Sequence, residues 1–149
     1  MIYCDSSFLT SLYVSSDLFN PHARKAASRF SVPIPYTLLN ELEFFNALQR
    51  GLGSRSLDQT SYDWILRDVT TDEANGLLER TSVNQIKLYE QARALSKRHT
   101  PRLGCRSLDI LHVASALILG AKKFASFDLR QRKLAQAVGL PLIPQSLPK

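Results

Sequence analysis

CRSLDILHVASA, residues 105–116, sets a single carboxylate, Asp109, at the opening of an otherwise apolar segment. Ser107 is placed to cap a helix there, and the apolar run continues to Leu119 before stopping at Gly120, a residue type that closes helices. A helix apolar on nearly every side is a buried one. The acid at its start is favoured by the positive end of the helix dipole, so Asp109 taken alone is an ordinary first-turn charge. Three other acidic sites adjoin apolar segments far away in sequence: Asp5 after MIYC, Glu41 and Glu43 within LLNELEFFNAL, and Asp128 after KKFASF. A carboxylate withdrawn from water costs several kcal/mol unless it is paired or bound to a cation. The coincidence of four such sites calls for one explanation.

Working outward from 105–116, the chain alternates apolar runs of strand length with longer stretches of helical spacing. MIYC reads as a strand, and FLTSLYV as a helix that Ser6 or Ser7 caps. Residues 21–30 form a solvated helix with Arg24, Lys25 and Arg29 on one side, to which no chemistry is assigned. SVPIPY carries two prolines, so a short strand there must be at an edge or tightly bounded. Leu38, Leu39, Leu42, Phe45 and Leu48 recur at spacings of three and four, predicting a helix with that face buried. GLGSRS at 51–56 is expected to be a loop, Leu57–Val69 a helix, LLERTSV a strand, and Ile86–Leu95 a helix facing inward through Ile86, Tyr89 and Leu95. Thr100–Gly104 reads as loop. After the central helix come a strand at Lys123–Phe127, a basic helix at 129–138 and a last strand in LPLIP. The alternation predicts an α/β fold on a mostly parallel sheet, and Asp5 and Asp128 then both follow strands, where ligands bind in such sheets.

Composition narrows the class. With 149 residues, 44% hydrophobic and 21% charged, the chain fits one globular domain, 1–149, and not a disordered chain. Nineteen Lys and Arg against thirteen Asp and Glu leave +6, a sign that suits polyanionic partners without identifying one. Cys4 and Cys105 stand alone, so neither a disulfide framework nor a zinc site is implied. No leader pattern and no apolar run of about 18 residues occurs, which predicts a cytoplasmic protein without membrane association.

Oxygen donors without cysteine or paired histidine suit Mg²⁺ or Mn²⁺. Such ions accept phosphate oxygens and lower the pKa of bound water, and the surrounding basic residues would draw in a polyanion. Phosphodiester hydrolysis is the reaction class that follows. An Asp after the first strand also begins phosphoaspartyl transferases of the haloacid dehalogenase type, but those need a second Asp two residues on, where this chain has Ser7.

IYCDSSFL, LLNELEFFNAL, RSLDILHVASAL and FASFDLRQRKLAQAVGL resemble, in order and spacing, the four blocks of the PIN-domain family, and more closely its bacterial VapC-type toxins. The resemblance implies a three-layer α/β/α sandwich with a central, mostly parallel sheet. It also implies a Mg²⁺- or Mn²⁺-dependent endoribonuclease, a homodimer held in check by a cognate antitoxin. Asp5, Asp109 and Asp128 match the first, third and fourth acidic positions. The second falls on Glu43, because Ala47, Leu48 and Thr37 stand where the family pattern has them; Glu41 points roughly 200° round the helix and cannot share that face. Ser7 and Ser126 match hydroxyl positions. With Arg106 and Arg130, and more remotely Arg132, they are the candidates for contact with substrate phosphate. His112 is expected to be a packed core residue. The rival readings are a PIN-like module that binds RNA or protein without cutting, and a housekeeping nuclease outside any toxin–antitoxin pair.

Overall fold

The computed structural model describes residues 1–147. In chain order the elements are β1 (Ile2–Cys4), α1 (Ser6–Tyr13), α2 (Asn20–Ala27), β2 (Ile34–Tyr36), α3 (Leu38–Gly53), α4 (Gln59–Ala74), β3 (Leu78–Arg80), α5 (Gln85–Leu103), α6 (Ser107–Ile118), β4 (Lys123–Ala125), α7 (Leu129–Ala137) and β5 (Leu142–Ile143). All strand pairings are parallel: β1 with β4, β4 with β5, and β2 with β3.

Alternation along the strands sorts the layers. Cys4 and Ala125 face one core with Phe8, Leu9, Phe44, Leu48 and Ile65, so α1–α4 cover that side. Tyr3 and Phe124 face the other, with Leu95, Val113, Ala114 and Leu134 of α5–α7. This is the expected α/β/α sandwich. Each fully buried aliphatic side chain in it contributes about 1.5–3 kcal/mol relative to exposure.

The strands hydrogen-bond as two sheets, β1–β4–β5 and β2–β3, so β2 is an edge strand as its prolines predicted, although it runs beside β1. The Ile34 N–H and the Tyr36 carbonyl both turn toward β3, so Pro35 between them turns its donorless nitrogen toward β1. The ladder is interrupted there, and the buried Asn40 side chain bonds the Cys4 carbonyl at 3.0 Å instead.

Several local expectations are corrected. The cap of α1 is Asp5, whose carboxylate accepts from Phe8 N–H at 2.8 Å; Ser6 and Ser7 already lie inside the helix. Arg106 occupies the N-cap position of α6, and Ser107 is its first residue. α3 continues through 51–53 because Leu57 folds back against Gly51, where an added Cβ would stand 3.0 Å from that of Leu57. α5 continues past Thr100 and Pro101, which forfeits one bond near the helix end, and closes at Gly104 with φ +62°. The buried face of α3 is Asn40, Phe44 and Leu48, while Leu38 (71% exposed), Leu42 and Phe45 face outward. Two stripes compete on this helix, and the one holding polar Asn40 wins because its amide ties α3 to β1. Ile86, Tyr89 and Trp64 are likewise exposed, and α5 packs through Leu88 and Leu95.

Candidate active site

Asp5 leaves the end of β1 fully buried. Ser126 Oγ donates to it at 2.6 Å, Ser7 Oγ at 2.7 Å, and Phe8 N–H caps it from α1. Burial pushes its pKa up, against the opposing pull of His112 and of these donors. Among the described residues no Lys or Arg forms an ion pair with it. The two serines also hold the loop after β4: Phe127 N–H donates to Ser7 Oγ and Asp128 N–H to Ser126 Oγ, each at 3.0 Å.

Asp128 caps α7, accepting from Arg130 N–H at 2.7 Å and Gln131 N–H at 3.1 Å. Asp109 lies one helical turn inside α6, nearly buried, and accepts from Arg106 N–H at 3.2 Å. The Arg130 guanidinium spans the two carboxylates, 3.8 Å from Asp109 and 4.0 Å from Asp128. The hydrogen bonds from Asp5 through Ser126 thus reach Asp128, and the guanidinium carries the chain of contacts on to Asp109.

Glu43 belongs to the same region through α1. It accepts from Ser6 Oγ at 2.9 Å and is hydrogen-bonded to His112. Burial alone would raise its pKa, but His112, Ser6 and Arg50 together bring it below the usual carboxylate value. His112 is fully buried, as expected of a core residue, with Tyr3 Oη 2.9 Å from its other ring nitrogen. It is also the partner of a candidate site carboxylate, which sequence reading missed. The place of His112 one turn beyond Asp109 was visible in the sequence and allowed it to orient a water or a phosphate, but its pairing with Glu43, 69 positions away, was not visible. Glu41 is elsewhere, paired with Arg80 at 3.0 Å.

An open cleft of about 430 Å³ is lined by Ser6, Ser7, Glu43, Arg50 and Asp128, among others. Arg50 was overlooked in the sequence, although it lies two turns beyond Glu43 on α3. Neither Asp5, buried behind Ser7, nor Asp109 lines this cleft. Arg106 makes no side-chain ion pair among the described residues. Arg132 is not at the surface at all: it is buried and donates to the Ser126 carbonyl at 2.9 Å and the Gln145 carbonyl at 3.1 Å, so it braces the loop and meets no phosphate.

Among the described residues, no three acidic, His or Cys side chains stand at the spacing of a ready-made metal cluster. Arg130 stands between two of the carboxylates, and His112 is bonded to a third. The donors nevertheless fit a hard cation: all are carboxylate or hydroxyl oxygens, and Asp5 is a buried carboxyl with no Lys or Arg paired to it among the described residues.

The arrangement, acids at strand ends and helix starts of a parallel α/β/α sandwich, is that of a known family. The chain belongs to the PIN domain family, whose model matches residues 2–137, as the four sequence blocks led us to expect. Among solved structures it is similar to VapC20 of Mycobacterium tuberculosis, a sarcin-ricin loop cleaving toxin, with a TM-score of 0.71, 19% identity, and coverage of 99% of this chain and 100% of that one. No curated protein matches the chain.

Proposed function

We propose that this PIN domain protein, acting through one domain of residues 1–149, is a divalent-metal-dependent endoribonuclease and the toxin of a VapBC-type module. The observation that carries the reading is the buried Asp5 carboxylate, desolvated and without a cationic partner among the described residues, joined by hydrogen bonds and Arg130 to Asp128 and Asp109. Such a charge is retained at a cost, and a cation is what offsets it. Membership of the family and the likeness to a toxin that cuts RNA support the substrate class.

Asp5, Asp109, Asp128 and Glu43 are the residues that would hold Mg²⁺ or Mn²⁺. When bound, the ion supplies a water of lowered pKa and offsets the charge developing on the scissile phosphate. The protein's own groups do the rest. Ser7 and Ser126 fix the Asp5 carboxylate by donating to it, and Ser126, being buried, acts through Asp5 and not on RNA directly. Ser6 and His112 hold Glu43 toward the cleft. Arg130 is placed to release Asp109 and Asp128 and turn to a phosphate oxygen, and Arg50 and Arg106 are available to substrate phosphates as well.

The partners proposed are an RNA substrate, a cognate antitoxin and a second copy of the chain. The outward Leu38, Leu42 and Phe45 side chains of α3 support the homodimer. No helix among the described residues is long and apolar enough to cross a membrane, and a cytoplasmic location fits an RNA substrate. The test is cleavage of total cellular RNA with and without Mg²⁺, followed by mapping of the cut sites. Asp5→Asn and Asp109→Asn should abolish cutting while the fold survives; full activity in Asp5→Asn would sink the assignment.

A further inference from the structure

The basic helix at 20–27, given no chemistry from its sequence, borders a second cavity, of about 390 Å³, that shares no lining residue with the catalytic cleft. His22 and Lys25 stand on one face of α2, and Arg29 follows one turn later, its N–H bonded to the Ala26 carbonyl at 3.1 Å. Lys123 reaches the same cavity from the sheet, where it is paired in register with Ile2. The floor is apolar, with Phe30, Ile143 and Pro144, and no acidic side chain lines the cavity.

Among the described residues only Arg80 and Arg130 of the Lys and Arg side chains are held by carboxylates; what sets this cavity apart is that three unpaired cations gather on it with no acid in its lining. Arg80 is matched by Glu41 and Glu73, and Arg130 by Asp109 and Asp128. By contrast, Lys25, Arg29 and Lys123 form no ion pair among the described residues. Like charges gathered on a concave surface repel one another unless an anion sits among them. Apolar and cationic side chains lining one cavity without an acid match a nucleotide, whose base has an apolar face and whose phosphate is anionic.

We propose that this cavity binds an unpaired nucleotide of a single-stranded RNA segment, the base on Phe30 and Pro144 and the flanking phosphates on Lys25, Arg29 and Lys123. Ile2 and Lys123 open β1 and β4, whereas Asp5 and Asp128 follow the far ends of those strands, so the site lies roughly 10 Å or more of strand length from the chemistry. It serves to anchor the substrate, not to cut it. The proposal rests on RNA being the ligand of this protein, but its test needs no catalysis.

A fluorescent single-stranded oligouridylate is titrated with the full chain in metal-free buffer at several salt concentrations. The K25E/R29E/K123E variant should bind at least tenfold more weakly, with a slope of log affinity against log salt shallower by about two, from roughly 0.7 per lost phosphate contact. The K87E/R93E/K97E variant carries the same charge change on α5 and should keep most of the affinity. Equal losses in the two variants, or none in the first, overturn the site. Duplex RNA, whose bases are stacked away, should bind less tightly than the single strand; equal binding overturns the nucleotide pocket. A chain that binds here but cuts no RNA with Mg²⁺ would defeat the nuclease reading and leave this one standing.

Discussion

Replacing His112 separates what the buried network does for stability from what it does for the site. His112 is fully buried, with Tyr3 Oη at 2.9 Å on one ring nitrogen and Glu43 and Ser6 on the other. In His112→Ala the lost packing costs about 2–4 kcal/mol, the lower part of the range for large buried truncations. The Tyr3 hydroxyl, itself buried, loses its hydrogen-bond partner, adding about 1–2 kcal/mol. The expected loss is therefore about 3–6 kcal/mol, a large share of the stability of a domain this size. Urea unfolding followed by far-ultraviolet circular dichroism measures it through the midpoint at constant slope. Two milder variants divide the effect. His112→Asn retains a polar partner for Tyr3 and releases Glu43, so it should keep more stability than His112→Ala but lower RNA cleavage. His112→Gln retains a partner for Glu43 and should keep more of the cleavage. A loss below about 1 kcal/mol in His112→Ala would refute the packing argument, and full cleavage by His112→Asn would refute the role assigned at Glu43.

Asp5→Asn should abolish cleavage and raise stability with a particular pH dependence. The folded pKa of Asp5 lies above its unfolded value, so its contribution to stability is lost as pH rises from the ordinary value of 3.8 upward; the urea midpoint gap between variant and parent should widen across that window. Glu43 has the opposite sign: its lowered pKa means that its contribution is present above 4.5 and lost as pH falls below it, a loss that Glu43→Gln should remove from acid titrations of stability. Arg132→Ala strips donors from two carbonyls and should cost about 2–4 kcal/mol in unfolding experiments, whereas Arg130→Ala, half exposed, should change stability by less than about 1 kcal/mol while lowering kcat/KM for RNA. Leu42→Glu should leave the unfolding midpoint within about 0.5 kcal/mol of the parent and shift sedimentation toward monomer; an unchanged dimer would place that interface elsewhere.

The layer order and the strand-end carboxylates were legible because short apolar runs followed by Asp, as at Cys4–Asp5 and Phe127–Asp128, leave few alternatives in a parallel α/β chain. The choice of Glu43 over Glu41 was legible from family spacing, and the structure turns Glu41 to Arg80. The face of α3 was not, because Leu38, Leu42 and Phe45 give a cleaner stripe than Asn40, Phe44 and Leu48, and only the Asn40 bond to β1 reverses the choice. The ends of α3 and α5 were misjudged where Gly51 and Pro101 signal a break that tertiary packing overrides. The Glu43–His112 pair joins residues separated by 69 positions, and no local pattern contains it.

The bond between Ser126 and Asp5 spans 121 residues, and it has a consequence for synthesis. While the chain is being made, Asp5 emerges 121 residues before the serine that bonds it. Pairing of β1 with β4 must wait for both ends, the kind of non-local contact that forms late and slowly. Until the segment that carries β4, Ser126 and Asp128 has been made, the surroundings of Asp5 are therefore unfinished.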